Sequence, residues 1–117
     1  MITVSPQSKI YIAIEPIDFR NGINGLGKIC KKKLKQNPMG GAFFAFRNRL
    51  KTTIKILIYD GESFWLFTRR LSRGKIKWWP KTLKSSGMIT HKEFQVLLMN
   101  GDPGPVEFGN DWKKLIS

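Results

Sequence analysis

Side chains able to do acid–base, nucleophilic or metal chemistry are few in this chain: one histidine (His91), one cysteine (Cys30) and eight carboxylates. His91 is the second residue of Thr90-His91-Lys92-Glu93, a capping box that opens a helix, so it reads as a surface residue. A general base needs a partner within hydrogen-bond reach, and none stands nearby in sequence. Cys30 falls on the apolar face of a predicted helix and reads as a core thiol rather than a nucleophile. No Cys/His spacing suits zinc, and no phosphate-binding glycine pattern follows a strand and opens a helix. Among the acids, Asp18 reads as a helix cap, Asp60 as a turn residue and Glu93 as the reciprocal member of the capping box. Asp102, Glu107 and Asp111 lie in a broken tail, a poor frame for the rigid carboxylates of a two-metal centre. No set of residues converges on a reaction. The expectation is a protein that is not an enzyme and uses no metal and no cofactor.

Positive charge is abundant instead. Twenty-one Lys and Arg oppose eight Asp and Glu, for a formal charge of +13 and a pI of 10.3. An excess this large repels itself in the folded state, and a polyanionic partner relieves that repulsion. DNA or RNA is the first class to consider, an anionic membrane surface the second, and charge serving solubility alone the plain alternative. The excess is concentrated: eleven basic residues lie between Arg47 and Lys84, against only Asp60 and Glu62. Candidate phosphate contacts are Arg47, Arg49, Lys51, Lys55, Arg69, Arg70, Arg73, Lys75 and Lys77. Trp79, with Trp65 and Trp78, is a candidate stacking ring, though core packing competes for every tryptophan. Trp78 and Trp79 are neighbours, so in a strand they point to opposite faces. A second basic cluster, Lys28, Lys31, Lys32, Lys33 and Lys35, ends a predicted helix, where the helix dipole favours cations with no ligand at all.

The elements that must hold these residues follow from pattern. A length of 117 residues, with 41% hydrophobic and 25% charged residues, suits one globular domain. Lys9 to Ile14 alternates as a strand. Ile23, Leu26, Cys30 and Leu34 give one apolar face to a helix over 19–36, weakened by Gly22, Gly25 and Gly27. Asn37-Pro38-Met39-Gly40-Gly41 is a break. The stretch Phe43 to Trp79 then reads as a meander, with strands 53–59 and 62–68 joined at Asp60-Gly61 and a last strand over 74–79. Ile54, Ile56 and Ile58 share one face, and Lys55, Leu57 and Tyr59 the other. One sheet face is expected to be core and the other to mix cations with large rings. A second helix runs from Thr90 to the stop at Asn100-Gly101. The predicted fold class is α+β: a single domain over 1–101, an antiparallel meander of four to five strands packed with two helices, and an irregular tail over 102–117. The lone cysteine fits a reducing compartment. The first residues lack the pattern of a secretory signal, and no run reaches the ~18 apolar residues of a membrane span. A cytoplasmic, nucleoid-associated protein with no membrane partner is expected.

These residues carry a family resemblance. The chain resembles the small accessory protein, often called TnpB, of the IS-sixty-six group of bacterial insertion sequences. The likeness rests on Asp18-Phe19-Arg20-Asn21-Gly22, against that family's Asp-Met-Arg-Lys-Gly, and on Phe44-Ala45-Phe46-Arg47-Asn48-Arg49. It extends through Lys55-Ile56-Leu57, Tyr59-Asp60-Gly61 and Phe64-Trp65-Leu66 to Arg70-Leu71, Gly74 and Trp79-Pro80. Phe19 and Asn21 depart from the usual Met and Lys, and Lys77-Trp78-Trp79-Pro80 is longer by one residue than that family's ending. The resemblance implies an accessory factor in DNA transposition, encoded beside a separate transposase that carries the catalytic carboxylates. No catalytic residues carry over.

Two functions are open at this point. The first is a DNA-binding accessory that uses a basic, aromatic sheet surface. The second is a subunit that bridges the transposase and other proteins of the same element without touching DNA. Neither predicted helix joins a wide basic face to interfacial aromatics, so a membrane-surface role is the poorest reading.

Overall fold

Phe43, Phe44, Ala45 and Phe46 are four consecutive buried residues, the signature of a strand covered on both faces, and the fold is built around them. The computed structural model describes residues 4–20, 22–82 and 87–100. The order is β1 (Ile10–Ile12), α1 (Ile23–Lys32), β2 (Phe43–Arg47), β3 (Thr53–Tyr59), β4 (Phe64–Arg70) and α2 (His91–Leu98). The strands form one sheet in the order β1-β2-β3-β4.

This sheet is α+β as expected, but it is mixed, with four strands, rather than antiparallel throughout. β1 and β2 run parallel, with Ile10 beside Phe43 and Ile12 beside Ala45. The reason lies in the connection: α1 sits between these strands as a crossover, which returns the chain in the same direction. Only β2–β3 and β3–β4 are antiparallel. The predicted strand over 74–79 is absent, because Gly74 takes φ +69° and the neighbouring backbone groups are satisfied elsewhere. Leu71 N donates to Thr52 O, Ile76 N to Lys51 O, and Lys77 N to the Asn100 side chain.

Both sheet faces carry a core, which corrects the expectation of one core face and one binding face. Ile10, Ile12, Phe43, Ala45, Ile54, Ile56 and Ile58 meet Phe94 and Leu97 of α2, with Ile76, Trp79 and Ile89. On the opposite face, Phe44, Phe46 and Leu57 meet Leu26 and Cys30 of α1, with Ala13, Ile17 and Ala42. The result is three layers, helix–sheet–helix, and the expected parity of β3 holds within them.

Helix ends depart from expectation in α1, at both ends. α2 has its capping box, with Thr90 accepting from Glu93 N and Glu93 accepting from Thr90 N. α1 is shorter than 19–36, and its N-cap is Gly22 rather than Asp18. The Asp18 carboxylate takes Arg20 N at 2.9 Å and the Arg20 guanidinium at 2.7 Å. Arg20 holds that carboxyl below the usual carboxylate range. α1 ends as Gln36 N reaches Cys30 O across Lys35, which takes φ +56°. The expected domain boundary at 101 and the tail over 102–117 lie outside the described residues.

Candidate nucleic-acid interface

Asn48 builds the turn that presents the first cations. Its Oδ1 accepts from Thr52 N at 2.9 Å and Thr53 N at 3.1 Å, and its Nδ2 donates to Thr52 Oγ1 at 2.8 Å. Lys51 N closes onto Asn48 O, with Lys51 itself at φ +58°. Asn is a natural choice here, since its side chain bonds local backbone without help from a second element. The turn leaves Arg49 and Lys51 exposed.

Pairing brings the other cations to the same end of the sheet. Arg47 stands beside Ile54, and Ile54 beside Arg69, so the two arginines flank Ile54 on one face, about 10 Å apart by strand spacing. Arg70 lies beside Thr53 on the other face. The segment after β4 turns back along the Asn48 loop, fixed at Leu71 and Ile76, which carries Arg73, Lys75 and Lys77 to that end too. Arg69, Arg70, Arg73, Lys75 and Lys77 are all exposed. Among the described residues the salt bridge formed is Arg20–Asp18, so none of these cations is paired with a described carboxylate. Arg47 is half-buried; its Nη1 donates to Asn48 O, while its buried Nε has no hydrogen-bond partner among the described residues.

Asp60 and Glu62 lie at the opposite end, in the β3–β4 loop. Seven residues of β3 separate the ends by about 20 Å, so the sheet is electrically polarised along its strands. Asp60 does not form the expected two-residue turn: the loop spans 60–63, and only Gly61 has a positive φ, +101°. Asp60 Oδ1 accepts from Glu62 N and Ser63 N, and Oδ2 from Trp65 Nε1. These donors, the indole foremost, pull the carboxyl down to a pKa of about 2.

Two members of the sequence-derived set sit elsewhere. Trp79 is only 8% exposed, and its Nε1 donates to Ala13 O at 2.8 Å, so its ring is core. Lys55 Nζ lies 3.4 Å from Phe19 O and 4.9 Å from the Phe19 ring centre, on the face covered by α1. Conversely, Trp65, one of the candidate stacking rings, is exposed on β4 beside Phe67, which the sequence reading did not single out. Trp65 and Phe67 are 47% and 46% exposed, and their rings stack at 6.2 Å and 9°. Their spacing of two in a predicted strand was the available signal, hidden because core packing is the commoner fate of such rings. The lysines of α1 are exposed on a separate element.

The sequence profile of the family described as IS66 Orf2 like protein matches residues 8–106. The chain belongs to the IS66 Orf2-like family. It is 31% identical over 102 residues to the uncharacterized protein y4jC of Sinorhizobium fredii (strain NBRC 101917 / NGR234), covering 87% of this chain and 86% of that one. It is 35% identical over 78 residues to the uncharacterized protein y4hO of the same strain, covering 67% and 68%. No solved structure matches. In this IS66 Orf2-like chain the Asp18-Phe19 block and the Asn48-Arg49 block meet in space. Pro16, Ile17, Asp18 and Phe19 line one wall of a cleft of about 370 Å³, and Asn48, Arg49 and Leu50 the other. Ile17 N bonds Arg47 O at 2.9 Å to join the walls. No group of three or more His, Cys, Asp or Glu able to hold a metal occurs among the described residues, and no described helix is long and apolar enough to cross a membrane.

Proposed function

We propose that this insertion-sequence protein is a non-catalytic DNA-binding accessory, acting in transposition by gripping the phosphate backbone with the basic end of its sheet. The observation that carries the reading is the gathering of Arg47, Arg49, Lys51, Arg69, Arg70, Arg73, Lys75 and Lys77 about one sheet end with no carboxylate partner among the described residues. Cations left unpaired at the end of a rigid sheet present a fixed positive field, and phosphate contacts are the main source of sequence-independent affinity for DNA. Arg49 and Lys51, exposed on the Asn48 turn, make the first contacts. Lys55 and Trp79 support the fold instead. Such a protein resides on nucleoid DNA with the transposase of its element.

Anisotropy titrations against labelled duplexes of unrelated sequence, at several salt concentrations, test the reading. Similar affinities that fall steeply with salt are expected, because each phosphate contact releases counterions. Undetectable binding at low salt removes it.

A further inference from the structure

The two outer edges of the sheet are treated differently. Along β1, Met88 bridges Tyr11 and Ile89 N donates to Ile10 O, so the edge is covered. β4 has no such cover among the described residues. Asp60 N–Ser63 O and Leu71 N–Thr52 O fix the alternation of the β3–β4 ladder. Trp65, Phe67 and Arg69 therefore direct their backbone groups to β3, and Phe64, Leu66, Thr68 and Arg70 direct theirs outward. This edge is seven residues long, with no proline and no bulge, and carries the exposed Trp65–Phe67 stack. An edge of that kind is a template for another strand.

We infer that the occupant is a second copy of the chain, paired antiparallel along β4 about a two-fold axis at Phe67. The charge and aromatic pattern of β4 is self-complementary in this register. Phe64 faces the partner's Arg70, Leu66 faces the partner's Thr68, and the outward backbone groups of both pairs meet as hydrogen-bonded pairs. Trp65 faces the partner's Arg69 on the same sheet face, a cation–π arrangement, and Phe67 meets its own copy. With Phe64 facing the partner's Arg70, the β3–β4 loop that holds Asp60 and Glu62 lies next to the basic end of the partner's β4. The acidic end of each sheet thus meets the basic end of the other. A parallel in-register pairing would instead oppose Arg69 with Arg69 and Arg70 with Arg70, which destabilises. The pairing makes one continuous eight-stranded sheet, and it stands independently of the DNA reading.

Sedimentation velocity on the nucleic-acid-free full chain tests it, in about 0.3 M salt so that net repulsion between copies is screened. Wild type is expected to be a dimer at micromolar concentration. Thr68→Pro removes an outward N–H without touching the β3 ladder, and Phe67→Lys places like charges on the axis. Each should raise the dimer Kd by roughly tenfold or more while circular dichroism stays native. Phe67→Cys should form an intermolecular disulfide on mild oxidation, since Cα atoms of a non-hydrogen-bonded pair lie within bridging range. Cys30, wholly buried, does not compete. A monomeric wild type, or Phe67→Lys dimerising as tightly as wild type, overturns the inference. Failure of Phe67→Cys to cross-link within a dimer overturns this pairing.

Discussion

Trp65 donates its indole N–H to Asp60 Oδ2 at 2.6 Å, which ties the hairpin loop to the exposed aromatic pair on β4. Together with the bonds from Glu62 N and Ser63 N, it lowers the Asp60 pKa from 3.8 to about 2. A carboxyl whose folded pKa is depressed contributes stability that is fully present above its unfolded value and lost as pH falls through the folded one. The hairpin should therefore loosen between pH 3.8 and about 2. Trp65 fluorescence followed through that window in wild type and Asp60→Asn checks this: the transition should appear only in wild type.

Asn48 is the single side chain that shapes the turn carrying Arg49 and Lys51. Asn48→Ala removes its bonds to Thr52 and Thr53 and should cost about 1–2 kcal/mol by urea denaturation. Asn48→Asp keeps the Oδ1 acceptor and should recover part of that loss.

Trp79 separates a structural ring from a binding ring. Trp79→Phe leaves Ala13 O without its indole donor in a buried site and should cost about 1–3 kcal/mol. DNA affinity per folded molecule should stay unchanged, as read by titration at a temperature where both proteins are folded.

What the sequence made legible and what it hid divide on physical lines. The Thr90 capping box and the parity of Ile54, Ile56 and Ile58 are local relations, and both appear in the structure as expected. The parallel pairing of β1 with β2 joins residues more than thirty positions apart, and no local pattern encodes it. Asp18 carried a strong cap signature, yet Arg20, two residues on, competes for the same carboxylate and wins. Lys75 and Lys77 alternate with Ile76 and Trp78 as a strand would, but Gly74 takes φ +69° and Ile76 N and Lys77 N bond Lys51 O and the Asn100 side chain instead. The concentration of charge in 47–77 was plain from composition. Its gathering at one end of the sheet depends on the β3–β4 register and on the return of 71–77 along the Asn48 turn.

Cys30 gives a check on the α1 layer. Burial pushes its thiol up to about 12, so at neutral pH it is uncharged and shielded. Native protein should resist a thiol reagent that modifies the urea-unfolded chain at once, and labelling of the native state would place α1 off the sheet.

The central claim is that position, not net charge, makes the basic end a DNA contact. Two variants of equal charge test it most directly in a salt-dependent anisotropy titration. One carries Arg49→Gln, Lys51→Asn, Lys75→Gln and Lys77→Gln, with Asn chosen to tolerate the positive φ of Lys51. The other carries Lys28→Gln, Lys31→Gln, Lys32→Gln and Lys33→Gln on α1. The first should lower affinity for every duplex and flatten the slope of log K against log salt by about 3–4, at ~0.9 per phosphate contact. The second should leave the slope near wild type. Equal losses in both variants, or a loss confined to the α1 variant, would contradict the account.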